Sequence, residues 1–180
     1  KPFNDTSLLE NKIKTLKEVG NLDEIVVTTD CDKMFALAEQ LGVVAIKRPD
    51  YYTSNDCPGS ENLEFIATQV DTDYILYTPV TSPLVKSETY EDIINIFKNL
   101  DEEYDSVVSM NYIKDFLWEN GKPLNYDPLD CPRSQDMESI FRMNFGACLL
   151  SRETMIKNKY VVGDSPFWYE LPEVEGVDVD

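Results

Sequence analysis

The sequence predicts an α/β protein with a doubly wound, mostly parallel sheet. Two observations favour this fold class: short apolar segments alternate with segments of helical period, and the connections between them are short. The clearest unit covers residues 73–97, where an apolar strand, a loop with two prolines and an amphipathic helix follow one another. Such a unit is half of a βαβ motif, in which ligands bind on the loops at the carboxyl ends of the strands.

The same patterns predict the other elements in chain order. A capping-box pattern at Ser7 and Glu10 predicts the start of a helix that Gly20 ends, and Ser60 and Ser87 are candidate caps of later helices. Apolar periodicity predicts further helices over residues 30–41, 87–97 and 151–158, and strands over residues 24–29, 43–46, 74–78, 106–110, 144–150, 167–171 and 176–180. Three successive strand–helix–strand steps favour the parallel sheet.

Residues 112–143, which we call the excursion, interrupt this alternation. The excursion holds three prolines, a turn at Asn120 and Gly121, and aromatic side chains without a sustained period. Because these aromatic side chains need to be covered, the excursion is interpreted either as part of a subunit interface or as a flap over the sheet.

Length and composition limit the class of protein. A chain of 180 residues with 42% hydrophobic content is expected to form one globular domain, residues 1–180. Its formal net charge of -18 predicts a surface that repels nucleic acids and anionic membranes, so neither is an expected partner. We find no apolar run of membrane-spanning length and no signal-peptide pattern at the N-terminus, and expect a cytoplasmic protein.

Two residue types limit the chemistry. The four cysteines lack the spacing of a zinc site, which favours reduced thiols. The sequence contains no histidine, and this excludes Ser-His and Cys-His nucleophilic catalysis and most catalytic zinc sites.

The pair Asp178 and Asp180 is a candidate metal site. In a strand, side chains two residues apart point to the same face, so the two carboxylates would project together. Carboxylate oxygens suit Mg²⁺ that is also held by a substrate phosphate. The alternative is an acidic chain end in an acidic protein.

A second set of polar residues falls at or just after the predicted strand ends, or at the start of the helix that follows. Arginine at such a place can bind a phosphate or carboxylate, although Arg48 could instead pair with Asp50 on the surface. Helix capping and loop hydrogen bonds explain the hydroxyl groups without a ligand. The candidates are Thr29, Asp30, Arg48, Ser60, Thr81 and Ser82.

Arg133, Gln135 and Arg142 form a third polar group, within or next to the aromatic-rich excursion. They are interpreted either as an anion-recognition site or as an interface network.

With these residues in place, the chain resembles the acylneuraminate cytidylyltransferases nearly from end to end. The segments that carry the resemblance are Lys1-Pro2-Phe3, residues 26–30, Arg48-Pro49 with Ser54, Asp56 and Ser60, the Thr-Ser-Pro-Leu of residues 81–84, residues 105–109, Pro132-Arg133 with Gln135, Phe141-Arg142, Gly146-Ala147 and the Gly-Val-Asp-Val-Asp of residues 176–180. The sequence departs from the family at Pro79-Val80, where the family has Gln-Pro, and at Val85, where it has Arg.

The resemblance implies a Rossmann-like nucleotidyltransferase fold and transfer of CMP from CTP to a 2-keto sugar acid, with release of pyrophosphate. It implies that Asp178 and Asp180 hold Mg²⁺ and that Arg142 acts with them as a catalytic residue. It also implies a homodimer formed through the excursion. The implied nucleotide and substrate contacts are Thr29, Asp30, Arg48, Ser60, Thr81, Ser82, Arg133, Gln135 and Asn144.

Two alternatives to this function remain open. One is a non-catalytic relative that serves as a binding or regulatory subunit, and the other is a glycosyltransferase that uses Asp178-Val-Asp180 as its metal motif. The family's Gly-Ser-Lys loop, which wraps the triphosphate, would precede Lys1, so we expect this chain to be a piece of a longer protein.

Overall fold

A computed structural model describes residues 1–3, 5–136 and 140–179, except the side chain of Gln135. The helices are α1 Leu8–Lys17, α2 Asp32–Gln40, α3 Gly59–Thr68, α4 Ser87–Lys98 and α5 Arg152–Asn158. The strands are β1 Pro2–Phe3, β2 Thr6–Ser7, β3 Val26–Thr29, β4 Val44–Lys47, β5 Tyr74–Tyr77, β6 Ser106–Ile113, β7 Trp118–Glu119, β8 Lys122–Pro123, β9 Ile140–Ser151 and β10 Pro166–Glu170. The α/β class predicted from the sequence is confirmed.

The main sheet is mixed: β5, β6 and β10 run in one direction, as in the predicted mostly parallel sheet, but β9 runs against them, which the prediction missed. Its four strands lie in the order β10-β6-β9-β5. β10 is parallel to β6, but β9 is antiparallel to both β5 and β6. The reason is that β9 begins where the excursion ends and pairs directly with β6, from which the excursion starts. β3 and β4 form a separate parallel pair, and β1-β2 and β7-β8 are short antiparallel pairs.

Helices cover both faces of the main sheet. Alternate residues of a strand point to opposite faces, so Val107 and Leu149 pack in one apolar cluster while Val108 and Cys148 pack in another. The first cluster includes side chains of α1 and α4, and the second includes side chains of α3 and α5. The two clusters together form the core, and the sheet lies between them.

Helix starts were predicted to within two residues. Ser7 is the N-cap of α1, and its hydroxyl accepts a hydrogen bond of 3.2 Å from the amide of Glu10. Ser60 is not a cap, because Pro58 takes that position and places Ser60 in the first turn of α3. Ser87 is likewise the first helical residue of α4, after Lys86 at the N-cap.

The predicted strand over residues 176–180 is wrong for residues 176–179, and Asp180 lies outside the described residues. A turn precedes this segment, in which the amides of Glu175 and Gly176 donate to the carbonyl of Pro172. The neighbour of residues 176–179 is a loop, with which they share one backbone hydrogen bond, so the alternating pattern does not produce a strand. Among the described helices, none is both long and apolar enough to cross a membrane.

Candidate functional site

The ends of β3, β4 and β5 come together around Arg48. The amide of Arg48 donates to the carbonyl of Thr29 over 2.9 Å, which continues the β3–β4 pairing by one residue. Its guanidinium donates to the carbonyl of Thr28 over 2.8 Å and to Oδ1 of Asn62 over 3.2 Å. In the described part of the chain Arg48 therefore bonds these two groups rather than Asp50.

Arg48 is a half-buried cation next to the end of β5. Burial and the neighbouring Cys148 raise the pKa of Tyr77, the last residue of β5, while the charge of Arg48 opposes this rise. Within the described residues, Nε of Arg48 is buried without a hydrogen-bond partner. A buried polar atom left unpaired is costly, and such atoms are uncommon outside functional or strained sites.

Thr29 and Asp30 have local structural contacts. The hydroxyl of Thr29 accepts a hydrogen bond of 3.2 Å from the amide of Cys31, at the entry to α2. The carbonyl of Asp30 and the carboxylate of Asp32 both accept from the ammonium of Lys47, which lowers the pKa of Asp32. The Thr29 contact is a loop hydrogen bond and not a helix cap, because Cys31 is the N-cap of α2 and has no side-chain cap bond. Nucleotide binding by Thr29 and Asp30 stays a prediction.

Ser60 is exposed in the first turn of α3, two residues before Asn62. The helix start thus lies beside Arg48, through the Asn62 contact. Binding of the nucleotide by Ser60 stays a prediction.

The loop between β5 and α4, residues 78–86, is called the rim loop below. The carbonyl of Thr81 accepts a hydrogen bond of 2.8 Å from the amide of Val179. Asp178, whose side chain is exposed, therefore lies next to Thr81. Thr81 comes four residues after Tyr77, the residue of β5 that lies near Arg48, and is therefore at most about 14 Å from it.

Glu175 holds residues 173–179, called the acidic tail below, against α4. The residue is 4% exposed, and Oε2 accepts hydrogen bonds from the amide of Lys86 (3.1 Å) and the hydroxyl of Thr89 (2.7 Å). A carboxylate at a helix N-terminus satisfies free amides and interacts favourably with the helix dipole. Nothing in the sequence distinguishes Glu175 from the exposed acids around it.

Gly176 lies where only a glycine fits. A Cβ there would stand 1.7 Å from Oδ1 of Asn111, whose amide nitrogen donates to the carbonyl of Leu171 over 2.7 Å. Arg142, which pairs with Asn111 in the β6–β9 ladder, donates to the carbonyl of Gly176 over 3.3 Å. The structure thus brings Arg142 to the segment that carries Asp178.

Asn144 is engaged in an internal network at an irregularity in the β6–β9 ladder. Its Oδ1 accepts from Ser109 Oγ (2.5 Å) and from the amide of Gly146 (3.0 Å), and its amide nitrogen donates to Asn111 Oδ1 over 2.8 Å. Asn144 is buried, so its described role is to hold the two strands. Its predicted substrate contact stays a prediction.

Arg133 and Gln135 lie at a short helical turn of the excursion. Arg133 is exposed and forms an ion pair of 2.6 Å with Asp136, at a short 3₁₀ turn over Ser134–Asp136. Gln135 lies in this turn, but its side chain is outside the described part of the chain. Their predicted contacts with substrate stay predictions.

Ser82 of the rim loop and Lys12 of α1 are both buried and are hydrogen-bonded to each other. Ser82 is 1% exposed, and its Oγ lacks a hydrogen-bond partner among the described residues. The carbonyl of Ser82 accepts a hydrogen bond of 2.7 Å from Nζ of Lys12. Sequence reasoning missed Lys12, although a lysine four residues from both Leu8 and Leu16, in the apolar stripe of α1, was a usable signal.

The described residues contain no group of three or more acidic or cysteine side chains arranged to hold a metal ion. Asp178 is among the described residues but Asp180 is not, so the predicted pair of carboxylates is not described as a whole.

Solved structures with a similar fold are cytidylyltransferases. CMP:2-keto-3-deoxy-manno-octonic acid synthetase complexed with CTP superimposes with a TM-score of 0.64 at 12% identity, over 95% of this chain and 82% of that one. For the 4-diphosphocytidyl-2C-methyl-D-erythritol synthase of Anaerococcus prevotii the TM-score is 0.72 at 11% identity, over 99% and 82%. A cytidylyltransferase of Leptospira borgpetersenii gives 0.57 at 13% identity, over 94% and 67%.

At these identities the structural likeness shows the fold. None of the curated proteins matches the chain. The sequence model of the cytidylyltransferases matches residues 1–164, which includes β3, β4, the rim loop and the excursion. The chain therefore belongs to the cytidylyltransferase family.

Proposed function

We propose that this protein transfers CMP from CTP to a hydroxyl group of a 2-keto sugar acid of the sialic acid type. The acceptor oxygen would form a bond to the α-phosphorus, the bond between that phosphorus and the bridging oxygen would break, and pyrophosphate would leave while the hydroxyl proton passes to solvent. The observation that supports this most strongly is the hydrogen bond between Val179 and Thr81. It joins the acidic tail to the rim loop, whose Thr-Ser-Pro-Leu resembles the Thr-Ser-Pro-Leu loop of the acylneuraminate enzymes.

The sugar-acid part of the proposal rests on two supports. One is the sequence resemblance to acylneuraminate cytidylyltransferases. The other is the likeness in fold to a synthetase whose substrate is also a 2-keto sugar acid. Another neighbour is a synthase of a methylerythritol derivative, so the fold by itself serves more than one acceptor class.

The proposed chemistry suits a chain without histidine, because phosphoryl-type transfer depends on positioning and charge neutralisation rather than on a covalent nucleophile. A protein with a net charge of -18 needs local cations to attract CTP. Arg48 at the end of β4 and Arg142 beside Gly176 are proposed to supply them, with Arg142 facing the acceptor carboxylate or the phosphates.

Asp178 and Asp180 are proposed to hold Mg²⁺. Their donors are carboxylate oxygens, which Mg²⁺ prefers, and Asp178 is exposed next to Thr81. When bound, the ion would neutralise charge on the phosphates and lower the pKa of the acceptor hydroxyl. Glu175 and Gly176 would fix the tail so that Asp178 stays beside the rim loop.

The proposal also includes a homodimer formed through the excursion and a cytoplasmic location. Exposed aromatic side chains of the excursion, among them Phe116 and Trp118, support the first. The four cysteines are free thiols, which supports the second.

The test is pyrophosphate release by the full-length gene product with CTP, MgCl₂ and N-acetylneuraminate. We expect turnover in the wild type and a loss of about 100-fold or more in Asp178→Asn, since removing a ligand charge from the reacting centre removes several kcal/mol of stabilisation. Glu173→Gln makes the same charge change at an exposed acid of the same tail and should behave like the wild type.

Retained turnover in Asp178→Asn would overturn the proposed metal ligand. Tight binding of CTP in calorimetry without turnover on any 2-keto sugar acid would favour the alternative of a binding or regulatory subunit. Binding of UDP-sugars in place of CTP would favour the glycosyltransferase.

A further inference from the structure

Lys12 lies on the side of α1 that faces the core. The buried residues of this helix are Leu8, Leu9, Lys12, Ile13 and Leu16, so Lys12 occupies a position of the apolar stripe. It is 3% exposed. Transferring an ammonium group from water to such a position is unfavourable, and an apolar residue of similar size would complete the stripe without that cost.

Lys12 makes contacts with the rim loop and with α4. Its Nζ donates to the carbonyl of Ser82 over 2.7 Å and to Oη of Tyr90 on α4. Tyr90 donates in turn to the carbonyl of Gly146 on β9 over 3.3 Å. The neighbouring Asn11 donates from its amide nitrogen to the carbonyl of Pro83 over 3.0 Å. Helix α1 thus holds two successive carbonyls of the rim loop.

The rim loop is therefore held from two sides. Lys12 binds it at Ser82 from the core, and Val179 binds it one residue earlier, at Thr81, from the acidic tail. Without the ammonium group the Ser82 carbonyl would lose its buried partner, in a residue whose hydroxyl already lacks one. A shift of this backbone would move Thr81 and, through it, the segment that carries Asp178.

We propose that Lys12 is a positioning residue for the nucleotide, acting through the backbone of the rim loop. This inference rests on the proposed function, because it assumes that the rim loop binds CTP. Lys12 does not itself contact the ligand in this proposal. It fixes the loop that does, and adds a positive charge beneath it.

The charge of Lys12 depends on pH near neutrality. Burial lowers the pKa of Lys12 from 10.5 to about 7. The groups that face it are the Ser82 carbonyl from the rim loop, Tyr90 from α4 and, beyond Tyr90, the carboxylate of Glu175 from the tail. Burial and then Glu175 raise the pKa of Tyr90, so the tyrosine stays protonated and Lys12 is the group that titrates.

The lowered pKa of Lys12 makes the free energy of unfolding depend on pH in one direction. Below pH 7 the lysine is charged in both the folded and the unfolded protein, and the full cost of its burial is present. Between pH 7 and 10.5 the unfolded chain binds more protons, so stability rises with pH. Lys12→Met should therefore be at least as stable as the wild type below pH 7, and the difference should shrink as the pH rises.

The test measures the dissociation constant for CTP by calorimetry and the melting temperature, at pH 6.5 and pH 8.5. We expect Lys12→Met to bind CTP about tenfold more weakly than the wild type at pH 6.5 without melting earlier, and less than tenfold more weakly at pH 8.5. Lys14→Met makes the same charge change on the exposed side of α1 and should bind CTP like the wild type. Asn11→Ala, which removes the bond to Pro83, should weaken binding about threefold and serves if Lys12→Met does not fold.

Equal CTP affinity in Lys12→Met and the wild type would overturn the inference. So would a loss of affinity accompanied by an earlier melting at both pH values, since that is the signature of a purely structural role. If the wild type itself does not bind CTP, the proposed function fails first, and that result is distinguishable because it does not depend on any variant.

Discussion

The rim loop and the excursion are both irregular segments that follow a strand, yet they are held in opposite ways. Four hydrogen bonds from distant parts of the chain fix the rim loop: those of Asn11 and Lys12 in α1, and those of Glu175 and Val179 in the tail. In the excursion, by contrast, the contacts of Asn125 with Asp115 and Leu117 join residues of the excursion to one another.

Exposure follows the same division. Ser82 and Val85 of the rim loop are buried, whereas Trp118 is 60% and Leu129 97% exposed in the excursion. We therefore expect the rim loop to open only when the domain unfolds, and the exposed part of the excursion to open more easily. A site that must position a triphosphate accurately needs a rigid segment such as the rim loop. An adaptable surface for a partner is better placed on a segment such as the excursion.

The strongest test of this difference is Gly176→Ala. A Cβ at this position would lie 1.7 Å from Asn111 Oδ1, so the tail must leave its place or the β6–β9 ladder must deform. We expect a loss of about 2 kcal/mol or more in the free energy of unfolding, typical of overpacking, together with loss of CMP transfer. Denaturant unfolding and pyrophosphate release measure the two effects.

Gly59→Ala is the matched control, because a Cβ there meets nothing within 4 Å at the first residue of α3. It should be neutral or slightly stabilising. If Gly176→Ala unfolds at the same denaturant concentration as Gly59→Ala, the tail is not fixed as described.

A smaller effect is expected at Trp118, and on assembly rather than on folding. If the excursion forms the proposed dimer interface, Trp118→Ala removes a large exposed aromatic side chain and should weaken the dimer by about 2 kcal/mol, without changing the melting of the domain. Sedimentation of the variant over a range of concentrations measures this, with Tyr51→Ala as an exposed aromatic control outside the excursion. A wild type that sediments as a monomer contradicts the dimer.

The sequence predicted best those features that depend on neighbours along the chain. The Ser7 cap of α1 is one example, because the hydroxyl and the amide of Glu10 that it accepts from lie three residues apart. The alternation of strands and helices and the polar residues at strand ends are others. Each of these follows from a local rule of geometry or propensity.

What the sequence could not supply was the partner of each segment. The direction of β9 depends on how the excursion returns to β6, and the course of residues 176–179 depends on a loop almost 100 residues away. In the sequence Glu175 resembles the acids around it, and only its contact with Thr89 of α4 distinguishes it. Lys12 was the exception, since a lysine in an apolar stripe is visible in the sequence, but its partner Ser82 is 70 residues distant.

The smallest effect is expected at Asn125, and it distinguishes a self-supporting excursion from one that is tied to the domain. Asn125 is buried, its Oδ1 accepts from the amide of Leu117 over 2.9 Å, and its amide nitrogen donates to the carbonyl of Asp115 over 2.9 Å. Asn125→Ala leaves both backbone groups without this side chain, which costs about 1 kcal/mol. Because these bonds join the excursion to itself, we expect faster amide exchange around Leu117 while exchange in β6 and CTP binding stay unchanged. Faster exchange throughout β6, or a fall in CTP affinity like that of Lys12→Met, would mean that the excursion and the rim loop are one cooperative unit.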